Sequence, residues 1–161
     1  TYNASTHTGK FKNGSIIDFG YCAGELDVYQ YQSAEYDVVR FDELTHFTES
    51  QYLYLISRVR GANDFPKQVK STTNPGGIGH GWVKRLFIDR DYRAGERAED
   101  YAFIPARVTD NQALLKSQPD YLDQLKALPK QLRLAWLEGR WDIFQGQFFS
   151  EFTDDDGDLP F

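Results

Sequence analysis

Methionine is absent from this sequence of 161 residues, and cysteine occurs once, as Cys22. A lone cysteine cannot close a disulfide within the chain, which fits a reducing compartment. Three scattered histidines and one cysteine cannot assemble a structural zinc tetrahedron. Positive charge is short as well. The net charge of −6 argues against a simple electrostatic binder of nucleic acid, which is normally basic overall, but it leaves room for a local basic face. No apolar run approaches the ~18 residues of a membrane span, and neither a secretory leader nor an internal repeat is visible. The missing methionine, even at the first position, suggests a chain that begins inside a longer protein. What is abundant is aromatic: 10 Tyr, 12 Phe and 3 Trp within 40% apolar residues, too much for a disordered chain and enough for the core of one domain.

Along the chain, residues 1–14 read as a polar loop. Strands are expected at 15–22, at 26–31, at 36–41 with both faces covered, at about 67–73, and at 101–108. Thr48 and Gln51 have the spacing of a capping box. Tyr52, Leu55, Ile56 and Val59 then repeat at helical period as far as Gly61. A short helix is expected at 82–88. Another, with Ser117 and Asp120 as its caps, carries Tyr121, Leu122, Leu125 and Leu128. Pro129 ends it, and a further helix reaches Leu137. Strands alternating with helices imply an α/β layered sheet, mostly parallel and flanked by helices.

The segment V-V-R-F-D-E-L-T-H-F at 38–47 ends an apolar strand on two adjacent carboxylates, Asp42 and Glu43. That is the layout of a Walker B element. A strand of an α/β sheet delivers acids to its carboxyl edge, where phosphates bind. One acid suits Mg²⁺, held through its water shell, and the other suits the attacking water in phosphoryl transfer. A divalent cation also offsets the repulsion of neighbouring acids. An exposed acidic turn would have the same sequence. About 30 residues on, Ser71, Thr72, Thr73 and Asn74 stand at the end of another strand, where small polar side chains reach a γ-phosphate. Pro75, Gly76 and Gly77 then force a turn, which N-P-G-G makes on its own account too.

Taken in series, F-D-E-L-T-H-F, S-R-V-R-G, T-T-N-P-G-G-I-G-H-G-W-V-K-R-L-F-I, V-T-D-N and E-G-R-W-D-I-F-Q-G-Q-F-F-S-E-F resemble the large terminase subunit of tailed bacteriophages. The resemblance covers most of the chain. It implies a DNA-packaging motor whose ATPase domain, a P-loop NTPase of the additional-strand type, is joined to an RNase H-like nuclease. Carried onto this sequence, Asp42 matches the aspartate that holds Mg²⁺ through water, Glu43 the catalytic base, and Thr72, Thr73 and Asn74 the coupling motif. The implied cofactors are ATP and Mg²⁺. The implied partners are double-stranded DNA, the portal protein, the small terminase subunit and further copies of the chain in a ring. The implied place is the host cytoplasm at the procapsid portal. No membrane is implied.

One departure is sharp. The family's phosphate loop precedes Walker B, and no G-x-x-x-x-G-K-[ST] occurs here. The nearest imitation, T-H-T-G-K-F, has Phe11 where a Mg²⁺-binding hydroxyl belongs, and Gly9-Lys10 reads as a surface turn. Residues 1–138 are therefore expected to be the C-terminal part of an ATPase domain, with 139–161 the linker toward a nuclease, and the chain alone is expected to be inactive. A helicase- or recombination-type P-loop ATPase fits the carboxylates but has no use for the junction after Gly139. A module without catalysis fits the missing loop.

Arg58 and Arg60, at the end of the helix after Walker B, suit either an interdomain contact or the helix dipole, and the dipole is favoured. Lys84 and Arg85 belong to a stretch with Arg90, Arg93 and Arg97 that suits DNA phosphates. Four acids dilute it toward an ordinary solvated face. His46 and His80 suit either a site contact or a capped turn. The acidic run 154–158 lacks the spacing of a calcium loop and reads as a solvated tail.

Overall fold

The computed structural model describes residues 1–143. The chain divides into two compact units, one of Thr1–Arg40 with Phe47–Lys70, the other of Phe41–His46 with Ser71 onward.

In the first unit, β1 (Tyr2–Asn3), β2 (Thr8–Lys10) and β3 (Ile16–Asp18) form an antiparallel sheet in that order. Gly9 pairs with Tyr2 on one side and Ile17 on the other. Residues 1–14 are thus not a simple loop, and Gly9-Lys10 is strand rather than turn. The Lys10 amide donates to Thr1 O at 2.8 Å, which commits this backbone to the ladder and away from any phosphate.

Residues 26–31 alternate like a strand yet form a 3₁₀ helix, Glu25–Tyr31. The cause is Asp27, whose Oδ2 accepts from the amides of Ala23 and Gly24 at 2.7 and 2.9 Å and winds the chain before any ladder can form. Helix α1 (Glu49–Ile56) starts as its sequence predicts. Thr48 Oγ1 accepts from the Gln51 amide, and Gln51 Oε1 accepts from the Thr48 amide. Gln51 is itself buried, and its Nε2 donates to Gly24 O at 3.0 Å, so one side chain both caps α1 and ties it to the 3₁₀ turn. Val28, Tyr52 and Leu55 form the apolar centre of this unit.

Strands β4 (Val38–Phe41) and β5 (Gln68–Ser71) run parallel. Gln68 N–H donates to Asp37 O and Thr72 N–H donates to Phe41 O, so partners advance together along both chains. Burial of β4 is one-sided. Val38 and Arg40 are exposed and Phe41 buried, which corrects the expectation of a strand covered on both faces. β5 is exposed throughout. The architecture of the described residues is mixed α/β, with two small sheets of which only the β4–β5 pair is parallel.

In the second unit, α2 (His80–Val83) runs on into a π-helical stretch, Lys84–Asp89, which Arg90 closes with a left-handed φ of 55°. Trp82, Val83 and Leu86 face inward with Phe41 and Leu44 among the buried residues. Residues 101–108 belong to no strand among the described residues. Their aromatic side chains pack instead. Tyr101 meets Phe87 edge-on and stacks on Tyr92, and Phe103 meets Trp141 edge-on. Three short helices follow, α3 (Gln112–Ser117), α4 (Tyr121–Lys126) and α5 (Lys130–Trp136). Ser117 ends α3, its hydroxyl donating to Leu114 O, and does not cap α4. Gly139, at φ 67°, supplies the left-handed stop after α5. Among the described residues no helix is long and apolar enough to cross a membrane. Most of the expected linker and the acidic run 154–158 lie outside the described residues.

Candidate functional site at the ends of β4 and β5

Parallel pairing sends both strands out at the same edge, so the residues just past β4 and β5 meet. Leu44 N–H donates to Thr72 O at 2.9 Å, extending the pairing beyond the strands themselves. The Thr72 hydroxyl donates to Asp42 Oδ1 at 2.6 Å and accepts from the Glu43 amide at 3.3 Å. Asn74 Nδ2 faces the Glu43 carboxylate at 3.3 and 3.5 Å. Four of the residues singled out in the sequence, Asp42, Glu43, Thr72 and Asn74, therefore form one constellation. Thr73 stands apart from the carboxylates, its hydroxyl turned to Asn74 O at 3.4 Å.

The two acids are placed differently. Phe41 and Leu44 are anchored in the core at 3% and 1% exposure, and the acids between them are pinned at the rim. Asp42 is exposed and held by a hydroxyl. Glu43 is half-buried and sits at φ 52°, a left-handed conformation that costs a residue with a Cβ about 1–2 kcal/mol. Strain of this kind persists where the surrounding structure imposes it, and it is common where a side chain has a task. Nothing in the sequence announced it.

Thr45, which sequence reasoning passed over, secures the loop beyond. It is 2% exposed; its hydroxyl donates to Asn74 O at 3.0 Å and its carbonyl accepts from Gly79 N–H at 2.8 Å. The signal was a threonine held at an apolar position, directly after the carboxylates and Leu44. His80 takes up the rest of the loop. Gly76 N–H donates to Nδ1 at 3.0 Å, which leaves the proton of the neutral ring on Nε2, 3.1 Å from Trp141 O. The ring stacks on Trp141 at 5.4 Å with 20° between planes.

Burial pushes the His80 pKa below its usual value. The nearby Lys84 charge adds to that, against opposing contributions from the Trp141 carbonyl and Asp89. A depressed imidazole stabilises the fold fully above the unfolded value of 6.5, and that contribution is lost as pH falls through the lower folded value. Thermal melts between about pH 7.5 and 5 should therefore show stability falling on the acid side, with a flatter profile in His80→Asn.

The basic candidates have internal partners. Lys84 Nζ lies 2.7 Å from Asp89 Oδ2. Arg85 makes a two-pronged ion pair with Glu96 at 2.8 and 2.9 Å, and the Arg85 guanidinium, with the Arg93 amide, holds the Glu96 carboxyl at about 2. Arg58 Nη1 donates to Gln32 O at 2.6 Å and its guanidinium lies over the Tyr54 ring at 5.1 Å, so it clamps neighbouring chain rather than capping α1. Arg60 makes a loose, exposed pair with Glu35 at 3.5 Å.

Among the described residues, no three His, Cys, Asp or Glu side chains gather as a metal cage. Asp42, Glu43 and the Thr72 hydroxyl are hard oxygen donors, few in number. They suit Mg²⁺, which keeps most of its waters and takes one or two carboxylates beside a phosphate.

A family model described as phage terminase large subunit matches residues 1–139. The chain belongs to the phage terminase large subunit family. Members of this family are ATPase-type enzymes of phage DNA packaging. No curated protein and no solved structure matches the chain. The match spans Asp42, Glu43, Thr72 and Asn74 together with the turn after them.

Proposed function

We propose that residues 1–138 are the Walker B and coupling portion of a terminase ATPase domain, and that 139–161 lead toward its nuclease. In this reading β4 and β5 are adjoining parallel strands of an additional-strand P-loop sheet. The observation that carries the reading is the Thr72 hydroxyl, which joins Asp42 to the Glu43 backbone while Asn74 faces the Glu43 carboxylate.

Asp42, with its exposed carboxylate, would hold hydrated Mg²⁺, and the ion would supply neutralisation of charge on the ATP phosphates. Glu43 orients the attacking water and accepts its proton. Asn74 aligns Glu43, and Thr72 and Thr73 border the γ-phosphate, so its loss shifts the 72–74 segment relative to both acids. That displacement drives translocation of double-stranded DNA into the procapsid. The motor is a ring of copies at the portal protein, supplied with DNA by the small terminase subunit in the host cytoplasm. The phosphate cradle lies elsewhere in the assembled enzyme, because the Gly9-Lys10 backbone is spent on β2. Arg58, Arg60, Lys84 and Arg85 serve structure first, and any contact with DNA or another domain engages Arg60, Lys84 and Arg85 as ion pairs already formed and Arg58 as a side chain already bonded to Gln32 O.

Asp42→Asn tests the metal assignment. In the packaging enzyme it should raise the Mg²⁺ concentration for half-maximal ATP turnover about 10- to 100-fold, the usual cost of losing an outer-sphere partner. An unchanged Mg²⁺ requirement would remove Asp42 from the site.

A further inference from the structure

We propose that His80 is a positioning residue for the hydrolytic step: its Nδ1, accepting the Gly76 amide from a ring stacked on Trp141, holds the loop that carries Asn74. The proposal rests on the ATPase reading above and adds to it a residue outside the carboxylate and coupling motifs.

A neutral imidazole offers one acceptor and one donor. His80, 5% exposed, commits both to backbone groups, one near and one distant in sequence: the Gly76 amide in the turn after Asn74, and the Trp141 carbonyl 61 residues away. Its face is committed too, stacked on the Trp141 indole, which Phe103 meets edge-on at 6.1 Å and 89°. The loop is thus gripped from two directions. Thr45 holds Asn74 O and the Gly79 amide, and His80 holds the Gly76 amide between them. The stacked ring presents Nδ1 to the Gly76 amide, and Gly76 is two residues from the side chain that aligns Glu43. A histidine that merely filled the core would add stability and leave the Asn74–Glu43 contact indifferent to it.

Two conservative replacements separate the arms. Asn places Oδ1 where Nδ1 stands and keeps the acceptor for Gly76. Gln places Nε2 where the ring Nε2 stands and keeps the donor for Trp141. In the packaging enzyme, His80→Gln should lower kcat for ATP about 10- to 100-fold with KM nearly unchanged, because a reacting group is misaligned rather than the substrate released. His80→Asn should retain most of kcat and lose the acid-side fall in rate that protonation of Nδ1 gives the wild type. In the 161-residue chain, the Gly76 backbone amide and the Asn74 side-chain amide should shift together by NMR in His80→Gln and stay near their wild-type positions in His80→Asn.

Equal kcat losses in the two variants, or a full rate in His80→Gln, would overturn the proposal. Should His80→Gln fail to fold, acid titration of the wild-type chain decides, since the two amides should move with a common midpoint. An Asn74 amide that ignores the Gly76 transition overturns the idea. The NMR readouts do not depend on turnover. An enzyme whose ATPase survives loss of Glu43 would defeat the reading of the site and leave the bridge intact, whereas unlinked amides would defeat the bridge alone.

Discussion

Glu43→Gln should lower ATP turnover by the packaging enzyme about 100- to 10,000-fold, the range that a positioned general base contributes. The replacement is nearly isosteric. Its amide oxygen still accepts from Asn74 Nδ2, so the loop keeps its partner and nucleotide affinity should change little. Only basicity is removed. The backbone supplies a second test of the same residue. Glu43 sits at φ 52°, where glycine is unstrained. Glu43→Gly should therefore be close to neutral in stability, relief of about 1–2 kcal/mol of strain offsetting the entropy that glycine adds to the unfolded chain. Turnover should still be lost as fully as in Glu43→Gln. A stable Glu43→Gly protein without ATPase would mean that the strained geometry is held for the sake of the carboxylate. Retained hydrolysis in Glu43→Gln would reject Glu43 as the base.

The elements that could be read from sequence are those whose cause is local. Thr48 and Gln51 make a capping box whichever way the rest of the chain folds, and both bonds are present. Helical period with Pro129 and Gly139 as punctuation located the last helices for the same reason. Alternation of strands and helices implied parallel pairing, which β4 and β5 show, but the Asp42–Thr72 and Glu43–Asn74 contacts at their ends were not read from sequence. The failures come from competition that periodicity does not see. Residues 26–31 alternate, but an aspartate that reaches back to two amides outweighs alternation. Residues 101–108 are rich in strand formers, but they bury their rings against Phe87, Tyr92 and Trp141 instead of joining a ladder. The left-handed Glu43 and the ring that bridges Gly76 to Trp141 are properties of tertiary placement, and no window of sequence contains both ends of either.

Gly77→Ala should be the most disruptive single-methyl change in the second unit, costing about 3 kcal/mol and lowering the melting temperature by about 10 °C. Two independent penalties meet there. Gly77 has φ 87°, which charges any L side chain about 1–2 kcal/mol. An added Cβ would also stand 2.7 Å from Thr45 O and 3.3 Å from Thr45 C, backbone atoms that cannot swing aside. Thr45 O is the acceptor of the Gly79 amide and Thr45 Oγ1 binds Asn74 O, so relieving the clash moves both anchors of the coupling loop. ATPase should consequently fall even at temperatures where the variant is folded. Gly81→Ala supplies the contrast. It lies in α2 with nothing within 4 Å of an added Cβ, and alanine there should stabilise by about 0.5–1 kcal/mol through helix propensity. Melts of the two variants would separate a glycine required by its surroundings from one that is merely tolerated. Equal, small effects at 77 and 81 would mean that the close approach of this turn to Thr45 does not hold Asn74 in place.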